Sequence, residues 1–431
     1  MVNEKTSTKV KSIDSCRVCE NRDLFEVLSL GNHFVSNFID SGKEAGIKVP
    51  LELVLCSFKG CSLLQLRHTT PSHMLYRNYW YKSGVNKTMQ DALADISNKA
   101  EKMAGLSTGD LVLDIGCNDG TLLRSYKTND LKLAGFDPAE NLLQFSRVGT
   151  TKIFSDFFNA KAFKKEFADT NAKVITSIAM FYDLDDPNSF VSDIAKCLDK
   201  QGVWVIQMSY LPSMLEQNAF DNICHEHLEF YSLTSLEFLL KRHSLEIFDF
   251  ELNDVNGGSF RVYVKHAGSL LPKQPAGAKE RIKKLQEKEK KLGLAGKKPY
   301  EEFAMRVNLL KRKTFDFISS EAKEGKKIYV YGASTKGNTL LQFYNLDSTL
   351  IKFAAERNPD KFGKKTVGTL IPIISEEQAR KDKPDYFLVL PWHFLKEFVQ
   401  RESEYLKTGG KFIVPLPEYK IIGKENMNES K

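Results

Sequence analysis

Leu111-Val-Leu-Asp-Ile-Gly-Cys-Asn-Asp-Gly-Thr-Leu-Leu123 decides the fold class of this chain. A short apolar run that breaks on a glycine-rich turn and resumes in a helical pattern is one βα unit of a buried parallel sheet. Gly116 and Gly120 let the backbone leave the strand sharply and approach a ligand, and a helix expected from about Thr121 would offer unpaired N–H groups. Asp137, in Gly-Phe-Asp-Pro, closes the next apolar run, where a carboxylate can accept both hydroxyls of a ribose. The pattern D-x-G-x-x-x-G is not the dinucleotide fingerprint G-x-G-x-x-G, and the difference favours a nucleoside without a pyrophosphate.

On either side of this unit the alternation continues. Met89, Leu93, Ile96, Ala100 and Met103 recur every three or four residues and predict a helix over 86–106. Apolar runs at 131–137, 173–180 and 202–209 predict further strands with helices between them. A second αβ alternation starts at 326–341 (KKIYVYGASTKGNTLL) and runs through IKFAAE, DYFLVLP and KFIVPLP. Between the two lies a charged, mostly helical stretch whose run Lys279–Lys291 reads as a solvated helix face. The fold class is therefore α/β, with two Rossmann-like units in series. A small cysteine module covers 1–78, the first nucleoside-binding domain 79–267, a helical connector 268–325 and the C-terminal domain 326–431. At 431 residues the chain exceeds what one core usually serves.

No apolar run approaches the roughly 18 residues of a membrane span. The polar start MVNEKTSTKVKS lacks the apolar centre of a secretory signal, which predicts a cytoplasmic protein. The net charge of +7 sits in lysine-rich stretches without interleaved aromatics, so neither nucleic acid nor membrane is an expected partner. Of seven cysteines, Cys16, Cys19, Cys56 and Cys61 form two close pairs. Without an export signal such pairs read as four thiolate ligands of a structural zinc, the alternative being separate buried thiols.

LVLDIGCNDGTLL resembles the glycine-rich motif of class I S-adenosylmethionine-dependent methyltransferases. Together with the cysteine module, CHEHLEFYSL from Cys224, NGGSFR up to Arg261 and the second Rossmann-like unit, the chain from about Cys16 to Lys420 is similar to the sugar C-methyltransferases. These methylate nucleotide-linked 4-keto-6-deoxyhexoses, here expected at C3, in the making of branched deoxysugars. The resemblance implies S-adenosylmethionine and zinc as cofactors. It places Asp114, Gly116 and Gly120 at the methionine end of the cofactor, Asp137 on the ribose, and Asp156 and Phe157 beside the adenine. Such chains are often monomeric.

His225-Glu-His227 cannot be a helical H-E-x-x-H metal site, because the histidines are two apart; the alternatives to catalysis are a paired-histidine metal site on a strand and a purely structural His-rich turn. In extended backbone they share one face with Glu226 on the other. Imidazole suits a base that collects a carbon-bound proton. By resemblance His227 is that base, Glu226 a neighbouring acid/base or orienting carboxylate, and His225 a support. Relatives tend to carry Tyr where this chain has Cys224, and His where it has Asp183. Enolate stabilisation then falls to Tyr182, or to Tyr79 and Tyr81 of YRNYWYKSGVN. In the C-terminal unit Ser334 and Lys336 could cradle a diphosphate, with His393 at a strand end and Arg261 as further contacts. The competing readings are a nucleic-acid methyltransferase, O- or N-methylation of another small molecule, and a scaffold without catalysis.

Overall fold

Each residue of Leu111–Ile115 (β1) is buried, as a strand covered on both faces requires. In the computed structural model, which describes residues 10–40, 46–57, 59–77 and 79–430, this strand lies within a seven-stranded sheet. Its companions are Lys132–Phe136 (β2), Lys152–Phe154 (β3), Ala172–Ile178 (β4), Leu198–Ser209 (β5), Leu245–Asn253 (β6) and Ser259–His266 (β7). The order is β6-β7-β5-β4-β1-β2-β3. The strands β1 to β5 run parallel, and β7 is antiparallel to both neighbours. Strand order reverses between β1 and β4, which opens a crevice at their carboxyl ends.

The helix Lys87–Ala104 forms where the apolar spacing predicts it. Asn86 caps it by accepting from the Thr88 N–H, Gly105 ends it in the left-handed region, and Leu93, Ile96 and Ala100 face the sheet. The expected helix from Thr121 is absent. Only a single 3₁₀ turn, Leu123–Ser125, follows the glycine-rich loop. Few residues separate Gly120 from β2 at Lys132, and the Arg124 guanidinium closes the loop by donating to the Asp119 carbonyl at 2.7 Å.

In the N-terminal module Leu24–Phe34, Lys48–Cys56 and Leu64–Leu66 form an antiparallel sheet. A fourth strand, Glu229–Phe230, comes from the methyltransferase domain and pairs Glu229 with Gln65 and Phe230 with Leu64. Leu28, Leu51 and Leu53 of this module share one core with Ile328 and Val330 of the C-terminal domain. Each such leucine contributes roughly 1.5–3 kcal/mol by leaving water. The C-terminal sheet runs Ile373–Ser375, Phe353–Glu356, Ile328–Tyr331, Tyr386–Val389, Lys411–Val414 and Lys420–Ile422 in spatial order, all parallel but the last.

The connector consists of helices Ala278–Leu292 and Lys298–Lys323. Its lysine-rich run is not purely a solvated face, because Leu285 and Glu289 point inward. The Glu289 carboxylate accepts from Tyr210 Oη at 2.8 Å, from the Leu233 and Thr234 N–H groups at 2.6 and 2.9 Å, and from Thr234 Oγ1 at 2.6 Å. It thereby occupies the N-terminus of helix Leu233–Lys241, where negative charge is favoured. Among the described residues no helix is long and apolar enough to cross a membrane.

Candidate functional site

Three parts of the chain meet around one cavity of about 1130 Å³. Thr69–His73, Leu75, Tyr76, Tyr79 and Tyr81 line it from the N-terminal side, the carboxyl ends of β1, β2 and β4 form its floor, and Ser334–Lys336, Leu390, Pro391, His393 and Phe394 close it from the C-terminal domain. A pocket for one small ligand is commonly about 300–1,000 Å³, and this cavity lies just above that range.

At the cofactor end, Asp114 is 3% exposed and accepts from Thr176 Oγ1 at 2.5 Å. Burial pushes its carboxyl up to about 7 despite that hydrogen bond. Gly116 has φ +75°, and a Cβ there would meet Met180 Cγ at 3.0 Å, so the sequence needs glycine for both conformation and space. Asp137 accepts from the Asn118 and Ala139 N–H groups at 2.7 and 2.8 Å. A carboxylate offers about four lone-pair sites, which leaves room for two ribose hydroxyls. Phe157 is 38% exposed at the mouth with the Arg77 guanidinium 5.9 Å above its ring, and Asp156 pairs with Arg77 at 3.5 Å. These groups fit S-adenosylmethionine: a carboxylate near its cationic end, acceptors for the ribose and an aromatic face for the base. Gly120 does not line the cavity; its place is structural, with φ +78° and the Ser146 carbonyl 3.1 Å from where a Cβ would stand.

The histidine segment is a turn rather than an extended strand, closed by His227 N–H donating to the Cys224 carbonyl at 3.1 Å. The two imidazoles consequently part. His225 donates from Nε2 to the Val49 carbonyl at 3.0 Å, into the N-terminal sheet. His227 lies against Tyr182, with ring centroids 4.3 Å apart, and bonds through Nδ1 to the Asn222 carbonyl at 2.8 Å. A carbonyl only accepts, so Nδ1 carries the proton and Nε2 is left as the basic nitrogen. Burial, then the nearby Lys336 charge, hold His227 down at about 3, and burial holds His225 at about 4.

Around this turn sit carboxyl groups without a full set of partners. Glu226 Oε2 and Asp183 Oδ1 are buried and unpaired among the described residues. Burial, then the neighbouring Glu226, drive Asp183 well above the usual carboxylate range, and burial raises Glu226. Tyr76 donates from its hydroxyl to the Glu226 carbonyl at 3.2 Å. Burial likewise raises Tyr79 and Tyr182, and Tyr81 to about 12, so these phenols keep their protons. Lys336 donates to Asn222 Oδ1 at 2.6 Å, and His393, lowered to about 3 by burial and then by Lys336, faces the same space.

Most of the candidate residues are thus brought to one cavity, including Ser334, which also caps its helix by accepting from the Gly337 N–H at 3.0 Å. Arg261 is not among them. It is 3% exposed within β7, bonded through Nε to Gln207 Oε1 at 2.8 Å and through Nη1 to Asp95 Oδ2 at 2.8 Å. Asn222, Thr176 and Tyr76 join the site without having been distinguishable in sequence. Tyr76 at least heads the aromatic stretch that contributes Tyr79 and Tyr81.

Sulfur atoms of Cys16 and Cys61 lie 3.5 Å apart and those of Cys19 and Cys56 3.4 Å apart, and all four fall within 4.8 Å of one another. Four sulfurs at about 2.3 Å from one zinc would stand about 3.8 Å apart, so the set fits a tetrahedral ion. A Cβ on Gly60 would lie 2.5 Å from Cys56 Sγ and 2.9 Å from Cys19 Sγ, which explains the glycine at the knuckle. The four cysteines are the residues that would hold a structural zinc, and as four protein ligands they would leave no position for a reactant.

Residues 16–76 match a zinc binding domain model, 81–249 a methyltransferase domain and 254–417 a C-methyltransferase C-terminal domain. The C-methyltransferase NovU of Streptomyces niveus is 31% identical over 422 residues, covering 97% of this chain and 99% of that protein. Among solved structures, an S-adenosylmethionine-dependent methyltransferase from Clostridium acetobutylicum ATCC 824 overlays 42% of this chain and 92% of its own, at 13% identity and a TM-score of 0.34. The plantazolicin methyltransferase BpumL, solved with SAH, overlays 42% and 87% at 13% identity and a TM-score of 0.34.

Proposed function

The chain belongs to the C-methyltransferases that join a zinc-binding module, a methyltransferase domain and a C-methyltransferase C-terminal domain, and from this premise we propose that its acceptor is a nucleotide-linked 4-keto-6-deoxyhexose, methylated at C3. The protein is an S-adenosylmethionine-dependent methyltransferase. The observation that carries the proposal is His227, whose Nδ1–H is tied to the Asn222 carbonyl so that bare Nε2 stands at the wall of the cavity.

Carbon methylation needs a carbanion equivalent, and the hydrogen beside a ketone is the one a neutral imidazole can remove. S-adenosylmethionine supplies the electrophilic methyl, and Asp114, Gly116, Asp137 and Phe157 are the residues that would hold it. His227 is neutral before the reaction because burial opposes its charge. Negative charge developing on the substrate then favours the protonated imidazole beside it. The enolate oxygen requires donors, which Tyr79 and a protonated Asp183 can provide. A buried carboxyl kept neutral donates a hydrogen bond that an ionised one cannot. Tyr182 packs on His227 and fixes its ring, while Glu226 completes the wall. Ser334, Lys336 and His393 line the C-terminal side of the cavity, and Lys336 and Ser334 are the residues that would meet the diphosphate of a sugar nucleotide.

The test is mass spectrometry of the protein with S-adenosylmethionine and a panel of NDP-4-keto-6-deoxyhexoses in deuterated water. The wild type should add one methyl and exchange the C3 proton. His227→Ala should bind cofactor yet do neither, and turnover retained by that variant would sink the assignment.

A further inference from the structure

Between Cys16 and Cys19 stands Arg17, whose side chain is 2% exposed although its charge makes full burial costly. Its contacts leave the zinc loop in two directions. Nη1 donates to the Leu66 carbonyl at 2.6 Å and to Gln65 Oε1 at 3.2 Å, and the Arg17 N–H reaches the same Gln65 oxygen at 3.2 Å. Nη2 donates to Thr69 Oγ1 at 2.8 Å, and Thr69 in turn donates to Asp185 at 2.9 Å. The first direction ends at the histidine turn. Gln65 is the register partner of Glu229, and the Leu66 N–H donates to the Leu228 carbonyl at 2.8 Å. The Leu228 N–H then donates to the Tyr182 carbonyl at 2.8 Å, beside His227. Glu229 is fully buried with Oε1 unpaired; burial drives its carboxyl well above the usual range, and the Arg17 charge opposes that shift.

We infer that Arg17 is a positioning residue through which the zinc loop sets the geometry of the His227 turn, so that metal occupancy decides whether the base is in place. A zinc that only stabilised a distant module would have no such route. Here the cation-bearing residue between two ligands grips the strand to which residues 228–230 are hydrogen-bonded. The guanidinium fork is what allows contact with Leu66, Gln65 and Thr69 at once, which an ammonium cannot reproduce. The consequence for the reaction rests on the role proposed above for His227; the coupling itself does not.

Hydrogen–deuterium exchange of the full-length, zinc-loaded protein tests the coupling, read by mass spectrometry on peptides covering 222–230 and 111–120. Arg17→Ala should retain one zinc and bind S-adenosylmethionine within about twofold of wild type. Exchange over 222–230 should nevertheless quicken about tenfold while 111–120 stays unchanged. Arg17→Lys should behave like Arg17→Ala, and added guanidinium should slow the exchange of Arg17→Ala again. Wild type stripped of zinc by a chelator should show the same local loosening, which keeps the inference testable if the variant fails to fold. Unchanged exchange over 222–230 in both Arg17→Ala and metal-free wild type would overturn it, as would acceleration spread equally over all peptides. In kinetics, kcat should fall with little change in KM. Loosened exchange with undiminished methyl transfer would uphold the coupling and defeat the role given to His227 instead.

Discussion

Replacing Asp114 by Asn should make the ligand-free protein less sensitive to rising pH. In an unfolded chain an aspartate titrates near 3.9, whereas burial beneath the cofactor pocket raises Asp114 to about 7. Because the folded value lies above the unfolded one, the contribution of this group is fully present below about pH 4 and is lost as pH climbs through about 7. The two values differ by about three, which at 1.36 kcal/mol each amounts to about 4 kcal/mol over the whole interval. Urea unfolding of both proteins at pH 5, 6, 7 and 8 isolates this group, since other titrations cancel in the difference. Stability of Asp114→Asn relative to wild type should rise by about 1.4 kcal/mol per pH unit up to 7 and then level. A saturating cationic cofactor favours the ionised carboxylate and should flatten the wild-type curve, so cofactor affinity of wild type should increase toward pH 7 while that of the variant does not. A constant difference between the two proteins from pH 5 to 8 would show that Asp114 is ionised in the empty pocket, and the reasoning from burial would fail.

Two further substitutions probe the frame around the site. Glu289→Ala strands Tyr210 Oη, two backbone N–H groups and Thr234 Oγ1 in the interior, and, at about 1–3 kcal/mol for each buried donor left unsatisfied, should cost several kcal/mol in chemical denaturation. Glu289→Gln, which keeps an acceptor, should cost less. Gly116→Ala places a methyl 3.0 Å from Met180 Cγ on a residue at φ +75°, which should strain the loop by about 1–2 kcal/mol. The accompanying loss in S-adenosylmethionine affinity should be at least about tenfold in calorimetry.

Local chemistry made much of this molecule legible. Glycines at a strand end, apolar spacing and paired cysteines each have a meaning within a dozen residues, and the strands, the helix Lys87–Ala104 and the sulfur cluster follow. What failed depended on partners far away in the chain. The helix expected at Thr121 gives way because β2 returns to the sheet so soon. Arg261 looked available to a phosphate until Asp95 and Gln207 were folded onto it. The lysine-rich run concealed Glu289, whose purpose exists only once helix Leu233–Lys241 is docked.

The histidine turn shows why such errors concentrate at the site. Periodicity offers His225 and His227 either a shared strand face or opposite sides of a helix, and neither occurs. The turn is fixed by Glu229 and Phe230 joining a sheet built from residues 24–66, and by the Asn222 carbonyl that assigns the His227 proton to Nδ1. The Asn222 side chain is in turn engaged by Lys336 of the C-terminal domain. Cofactor binding can be written into one βα unit, but this candidate base acquires its tautomer and direction only where all three modules meet. A fragment lacking either flanking module could therefore retain the cofactor pocket while losing the arrangement around Nε2.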